Sequence, residues 1–311
     1  LNVSRSALQN DGFVQKISEY IAKKVADKLT GMCKTDREAY EKYWDDISPF
    51  IKFGCIKDSK FADKLHDYIL FKDLDNKYLT LKDCIEANKK EEAEHTEEET
   101  QKNAEENKDE KEPEKTTVFY VTDPVQQSQY INMFKEAGKN AVILSHNIDT
   151  AFISHLEQRD QTLQFKRIDA DLTEELREDG KADEATVKTL TEVFRKNLGK
   201  DKLEVKVEKL KNEGTAAMIT LPEESRRMQD MMKMYNMYGM DPNMFGGQET
   251  LVLNANHPLV KYLAENQESD KAPLICEQLY DLAMMSHKQL SPDEMTRFVQ
   301  RSNEILLMVA K

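Results

Sequence analysis

Residues 117–123 read TVFYVTD. Val118 to Val121 form a short run of β-branched and aromatic residues. A long charged segment closes it on one side and Asp123-Pro124 on the other. Such a bounded apolar run predicts a buried strand. The next fifty residues decide the fold. A helical pattern carries Tyr130, Ile131 and Phe134 and ends at Gly138. Residues 141–145, AVILS, give a second buried strand. Ile148, Phe152 and Leu156 mark another helix, and residues 165–169, FKRID, a third strand. This βαβαβ alternation predicts a small parallel sheet with helices packed on it. The fold class is therefore α/β in this unit and α+β over the whole chain.

Upstream, the composition changes abruptly. Residues 86–115, EANKKEEAEHTEEETQKNAEENKDEKEPEK, hold no aromatic residue and no aliphatic larger than Ala, and acids outnumber lysines about two to one. Too little apolar surface is available to offset the entropy of ordering, so the segment reads as an acidic, disordered insert. Before it, residues 1–85 read as helical. Val14, Ile17, Ile21, Val25 and Leu29 fall on one helix face, which Gly31 closes. A second helix carries Tyr40, Tyr43, Trp44 and Ile47 and stops before Pro49, and a third runs through Phe61, Leu65, Tyr68 and Ile69.

Downstream, a polar linker at 171–185 leads to a second mixed unit. Val187, Leu190, Val193, Phe194 and Leu198 mark a helix. LEVKVEKL, residues 203–210, alternates as a half-buried strand, with AAMITL, residues 216–221, as its candidate partner. ETLVLN, residues 249–254, is another strand, and helical stretches come after it at 257–264, 274–288 and 292–309. The expected divisions are 1–85, 86–116, 117–185 and 186–311.

The 311 residues carry a net charge of -13, which argues against nucleic acid and against an anionic membrane surface as partners. No apolar run approaches the roughly 20 residues of a membrane span. Cys33, Cys55, Cys84 and Cys276 are scattered without CxxC pairing and read as reduced thiols, which places the chain in the cytoplasm. The first residue is Leu1, so the chain is expected to begin inside a longer protein.

Motifs for autonomous chemistry are missing. The sequence has no GxxxxGK[ST] loop, no GxGxxG and no GxSxG, and its ten glycines leave little for a phosphate-cradling loop. His66, His95, His146, His155, His257 and His287 show no metal-ligand spacing. Residues 226–244, RRMQDMMKMYNMYGMDPNM, are the conspicuous feature instead, with seven of the chain's fourteen methionines. Thr220 and Glu223 suit a helix start as cap and third residue. Met228, Met231, Met232 and Tyr235 then fall on one stripe, while Met234, Met237 and Met240 lie off it. A helix apolar nearly all round is usually buried all round. Against that stand the opening charges Glu223, Glu224, Arg226 and Arg227, and the softness of methionine, which suits surfaces that accept many shapes. Core packing and an adaptable binding surface both fit the composition.

The opening LNVSRSALQN, residues 1–10, closely resembles the segment in the middle domain of the ninety-kilodalton heat-shock protein chaperones that reaches toward ATP. ISEYIAKKVADKL, FIKFG, VFYVTD, ILSHNIDTAFISHLE, LEVKVEKL, AAMITL and the closing helices are similar to that family in order and spacing. The likeness covers essentially the whole chain except the acidic insert and is nearest to the family's bacterial branch. It implies the end of a middle domain joined to a carboxy-terminal dimerisation domain. The amino-terminal nucleotide domain lies outside this sequence.

The resemblance also implies roles. Arg5 would reach the terminal phosphate of ATP held, with Mg, by the absent nucleotide domain, and Gln9 would support it. A guanidinium suits a phosphate whose charge is spread over its oxygens. The parent family hydrolyses ATP, but this segment is expected to bind no cofactor and to be inactive alone. Met228, Met231, Met232, Met234, Tyr235 and Met237 would contact partly folded clients. A second client site falls on Thr150, Ala151 and Ser154, with Phe152 standing where the bacterial pattern has tryptophan. Met295, Phe298, Val299, Ser302, Ile305, Leu306 and Val309 form an apolar stripe, faced by Leu279, Leu282 and Ala283 on the preceding helix. Packing within one chain would explain the stripe; the resemblance implies a homodimer four-helix bundle. The seventy-kilodalton heat-shock system is a further partner the family brings with it. The competing reading is a pure dimerisation module without client contact.

Overall fold

A computed structural model describes residues 12–86, 115–170, 176–178, 180–234 and 249–310, with the backbone alone for 229–234. The mixed α+β class expected from the sequence is what the chain adopts. Contacts divide it into two compact units. One holds residues 1–118 and 142–165, the other 119–141 and 166–311, so the boundary runs through two strands.

In the first unit, α1 (Gly12–Thr35) runs through Gly31, where an added Cβ would meet nothing. It stops at Asp36, whose carboxylate caps α2 (Arg37–Lys57) by accepting from Ala39 N–H at 3.2 Å. Leu29 is buried, but Ile17, Ile21 and Val25 of the expected inner face are exposed. α2 passes through Pro49 rather than ending before it. Proline removes one backbone bond and crowds the preceding turn, a cost of about 3 kcal/mol. Burial of Trp44 before it and of Ile51, Lys52 and Cys55 after it holds the helix together. Asp58 then caps α3 (Ser59–Leu65). A 3-10 turn at His66–Tyr68 leads into β1 (Leu70–Asp73) and β2 (Tyr78–Thr80), an antiparallel hairpin in a region expected to be wholly helical. Its turn is built by Asp73, whose carboxylate accepts from Asp75 and Lys77 N–H, and by Asn76 at φ 63. Asparagine tolerates that left-handed conformation.

The βαβαβ pattern is present as β3 (Thr116–Val121), α4 (Ser128–Glu136), β4 (Val142–Ile143), α5 (Ile148–Arg159) and β5 (Leu163–Arg167). Thr116 N–H donates to Thr162 O and Ile168 N–H donates to Tyr120 O, so β3 and β5 run the same way. The sheet order is β2-β1-β4-β3-β5, and β1 lies antiparallel to β4, which makes the sheet mixed rather than parallel. A buried ion pair, Lys52 Nζ to Asp149 Oδ1 at 2.5 Å, joins α2 to the start of α5.

The second unit holds α6 (Glu184–Leu198), capped by Asp183 and ended by Gly199 at φ 61, where glycine avoids a Cβ clash. Its sheet is β6 (Glu204–Glu208), β7 (Ala217–Thr220) and β8 (Thr250–Asn254) in the order β6-β8-β7. The expected pairing of the first two strands is therefore wrong. β8 lies between them, parallel to β6 and antiparallel to β7; every residue of β7 and β8 is buried, whereas in β6 only Val207 is. Part of the expected linker is pinned, since Arg177 bridges Leu210 and Leu176 is buried. After β7 comes α7 (Glu223–Met234), and after β8 come α8 (Pro258–Glu265), α9 (Ala272–Met285) and α10 (Pro292–Val309). Leu190, Phe194, Ile219, Leu251, Leu263 and Cys276 centre the core.

Candidate functional surfaces

The methionine helix is fixed at its first turn by a polar network. Glu223 accepts from Tyr120 Oη at 2.7 Å, from Arg167 N–H at 2.8 Å and from Arg227 Nε at 2.7 Å. Burial, with the Glu223 carboxylate second, pushes the Tyr120 phenol well above its ordinary range, so it stays a donor. Arg226, expected among the charges that argue against burial, is only 1% exposed. Its Nη2 lies 3.3 Å from Asp169 Oδ2, and Arg167 Nε sits 2.8 Å from Asp169 Oδ1. A buried guanidinium needs such partners to offset its lost hydration. Met228 is half-buried. The side chains of Met231, Met232 and Met234 lie outside the described residues, as do Tyr235 and Met237, and Arg5 and Gln9.

Phe152 cannot serve as a surface contact. It is 1% exposed, with the Lys52 ammonium 5.8 Å from its ring centroid and His155 stacked at 6.5 Å. Its place at the fifth position of α5 turns it into the unit's interior, while Ala151 is exposed. The apolar pattern of that helix could have shown this, since Phe152 and Leu156 share one face.

Two of the three residues expected on α9 are also core. Leu279 and Ala283 pack with Leu190, Phe194 and Ile219, whereas Leu282 is exposed. α10 meets α9 through polar groups instead. Arg301, itself buried, reaches Glu277 at 2.8 Å, Gln278 at 3.0 Å and Asp281. Gln278 Nε2 donates to Ser302 Oγ at 3.2 Å. Ser291 and Glu294 close a capping box that starts α10. On a 3.6-residue helix, Met295, Val299, Ser302, Leu306 and Val309 lie roughly a third of a turn around from Arg301. The polar grip therefore takes Ser302 but leaves Met295, Val299, Leu306 and Val309 uncovered. Leu306 is 64% exposed and Val309 80%, with Met295 and Val299 exposed and Phe298, Ser302 and Ile305 half-buried. Leu307 and Met308, on other faces of α10, are exposed as well.

Among the described residues no group of three or more His, Cys, Asp or Glu could hold a metal, and no helix is long and apolar enough to cross a membrane. The Hsp90 protein family model matches residues 1–94 and 109–310. The chain belongs to the Hsp90 family. This Hsp90 chain is 35% identical over 282 residues to the chaperone protein htpG of Bacteroides fragilis strain YCH46, covering 87% of the chain and 38% of that relative. It is 31% identical over 294 residues to the chaperone protein HtpG of Porphyromonas gingivalis strain W83, covering 89% and 39%. The HtpG of Bdellovibrio bacteriovorus is 25% identical over the whole chain and 47% of its own length. The Hsp90 chain thus spans less than half the length of these curated relatives.

Proposed function

We propose that this chain is the dimerising, client-holding part of an ATP-dependent chaperone of the cytoplasm. The observation that supports it most is α10. The helix is fastened to its own unit by Arg301 and leaves its apolar stripe, Met295, Val299, Leu306 and Val309, facing out. A second copy presents the same stripe, and two α9–α10 hairpins make a self-complementary bundle. Met228, Met231, Met232, Met234, Tyr235 and Met237 then cover apolar patches of partly folded clients. Each buried methylene contributes about 0.8 kcal/mol, so two copies matter for avidity. Arg5, with Gln9 beside it, contacts the ATP terminal phosphate when the nucleotide domain closes, and clients arrive from the seventy-kilodalton chaperone system.

The chaperone reading is tested by aggregation of a chemically unfolded protein. The chain is expected to suppress it without nucleotide. No suppression at several-fold excess of the chain would contradict client holding and leave dimerisation alone.

A further inference from the structure

His287 stands between Arg226 and Glu249, which bracket the methionine-rich stretch in sequence. It comes just after α9 and is 7% exposed. Its Nδ1 lies 2.6 Å from Nη1 of Arg226 on α7, and its Nε2 lies 3.2 Å from Glu249 Oε1, which leads into β8. Residues 227–248 run between those two partners. We propose that His287 is an acid-sensitive latch, which in its neutral form ties Arg226 to Glu249 and on protonation lets go of Arg226.

The geometry fixes the protonation state. A guanidinium nitrogen can only donate, so Nδ1 must accept from it, and the ring proton sits on Nε2 and is donated to Glu249. A proton from solvent has only the Nδ1 lone pair to take. Once it binds there, two donors and two positive charges face each other at hydrogen-bond distance. The bond is lost and repulsion replaces it. The other charged groups around the ring do not rescue it. Lys288 Nζ sits on Glu249 at 2.9 Å and shares its charge. Asp169 is engaged by both Arg226 and Arg167. Glu249, held at about 2 by the His287 hydrogen bond first and by Lys288, stays ionised throughout. Burial first, then Arg226 and Lys288 against the pull of Glu249, lowers the His287 ring below its ordinary value. The latch is therefore closed above pH ~6.5 and opens as pH falls through the lowered folded value. Its existence does not depend on what the methionines bind.

Two measurements on the full chain test the latch. Nitrogen NMR of histidine-labelled protein at pH 7.5 is expected to show the Nε2–H tautomer for His287, titrating below pH ~6.5. An Nδ1–H tautomer or a charged ring at pH 7.5 overturns the proposal. Hydrogen exchange of amides 224–234, corrected for intrinsic rates, is expected to speed up several-fold between pH 7.5 and pH 5.5. In His287→Gln, whose amide can accept from Arg226 and donate to Glu249 but cannot titrate, the dependence is expected to vanish. The same dependence in His287→Gln and wild type overturns the latch. Should that variant not fold, the wild-type tautomer decides alone.

Discussion

Arg301 on α10 reaches back to Glu277 on α9, with Nη1 2.8 Å from Oε2. The same guanidinium takes Gln278 and Asp281, so three side chains of one helix hold one residue of the next. Hydrogen bonds to charged groups contribute about 1.5–3 kcal/mol each at most, and the Glu277 side chain is half-exposed. Arg301→Leu is expected to cost about 2 kcal/mol in urea unfolding and to weaken association, since α10 loses the contact that orients its stripe. Unchanged unfolding and unchanged association would show the grip to be incidental.

Lys52 and Asp149 are both nearly inaccessible, and Asp149 also accepts from His146 N–H at 2.9 Å. Removing one partner strands a buried charge, at about 3–5 kcal/mol. Lys52→Met is expected to fall in that range. The double variant Lys52→Met with Asp149→Asn is expected to recover part of the loss, because the amide oxygen still accepts from His146 without a charge. A double variant as unstable as the single one would contradict the assignment.

Asn254 is fully buried with all its polar valences used. Its Oδ1 accepts from Leu210 and Asn256 N–H, and its Nδ2 donates to Asn212 O and Thr215 O, all within 2.9–3.1 Å. Asn254→Asp keeps the shape, removes two donors and aims charge at two carbonyls. A loss of about 3 kcal/mol or more is expected at neutral pH, read as a lower urea midpoint at constant slope. A loss under about 1 kcal/mol would mean those backbone groups find other partners.

Acid stability depends on Glu249 and His287, and both act in one direction. Glu249 is depressed from its ordinary value to about 2, so its contribution is present above pH ~4.5 and is lost as pH falls toward 2. His287 is lowered as well. Below pH ~6.5 the unfolded chain takes up its proton first, and stability falls until the folded ring is protonated too. Urea midpoints are expected to decline from pH 6.5 downward, with a shallower first stage in His287→Gln. A flat profile just below pH ~6.5 would contradict the His287 part, and one flat from pH ~4.5 to ~2 the Glu249 part.

The βαβαβ elements and the closing helices were legible because each carries one clean period bounded by turn residues. The β1–β2 hairpin was not, because Ile69, Leu70 and Phe71 continue the apolar run of the helix before them and only Asn76 and Asp73 signal a turn. Pro49 and Gly31 are local breakers overridden by burial or tolerated in solvent. Strand order in the second sheet depends on which strand takes the centre, and since β7 and β8 are both wholly buried, neither their burial nor sequence adjacency marks β8 for that place. On α10 the stripe itself was readable, but not which side the helix would turn to its neighbour. That depended on Arg301 meeting three side chains about 20 residues earlier. Leu279 and Ala283 were misplaced for the same reason. The Arg226, Asp169 and His287 cluster joins residues far apart in sequence, and no short motif marks it.

Hydrogen-peroxide footprinting addresses the client surface. Met133 and Met218 are buried and serve as slow internal references. Met231, Met234 and Met237 are expected to oxidise faster than those two and to slow when an unfolded client is added. Protection equal to Met218 in client-free protein would assign these methionines to the interior.

Dimerisation through α10 is the central claim, and Leu306 is its most exposed interior position on the stripe. Aspartate there would bury an unpaired charge in the bundle, at several kcal/mol, while leaving the monomer's own packing intact. Sedimentation equilibrium at micromolar concentration is expected to give twice the 36.0 kDa chain mass for wild type and 36.0 kDa for Leu306→Asp. A monomeric wild-type chain, or a Leu306→Asp variant that remains dimeric, would contradict it.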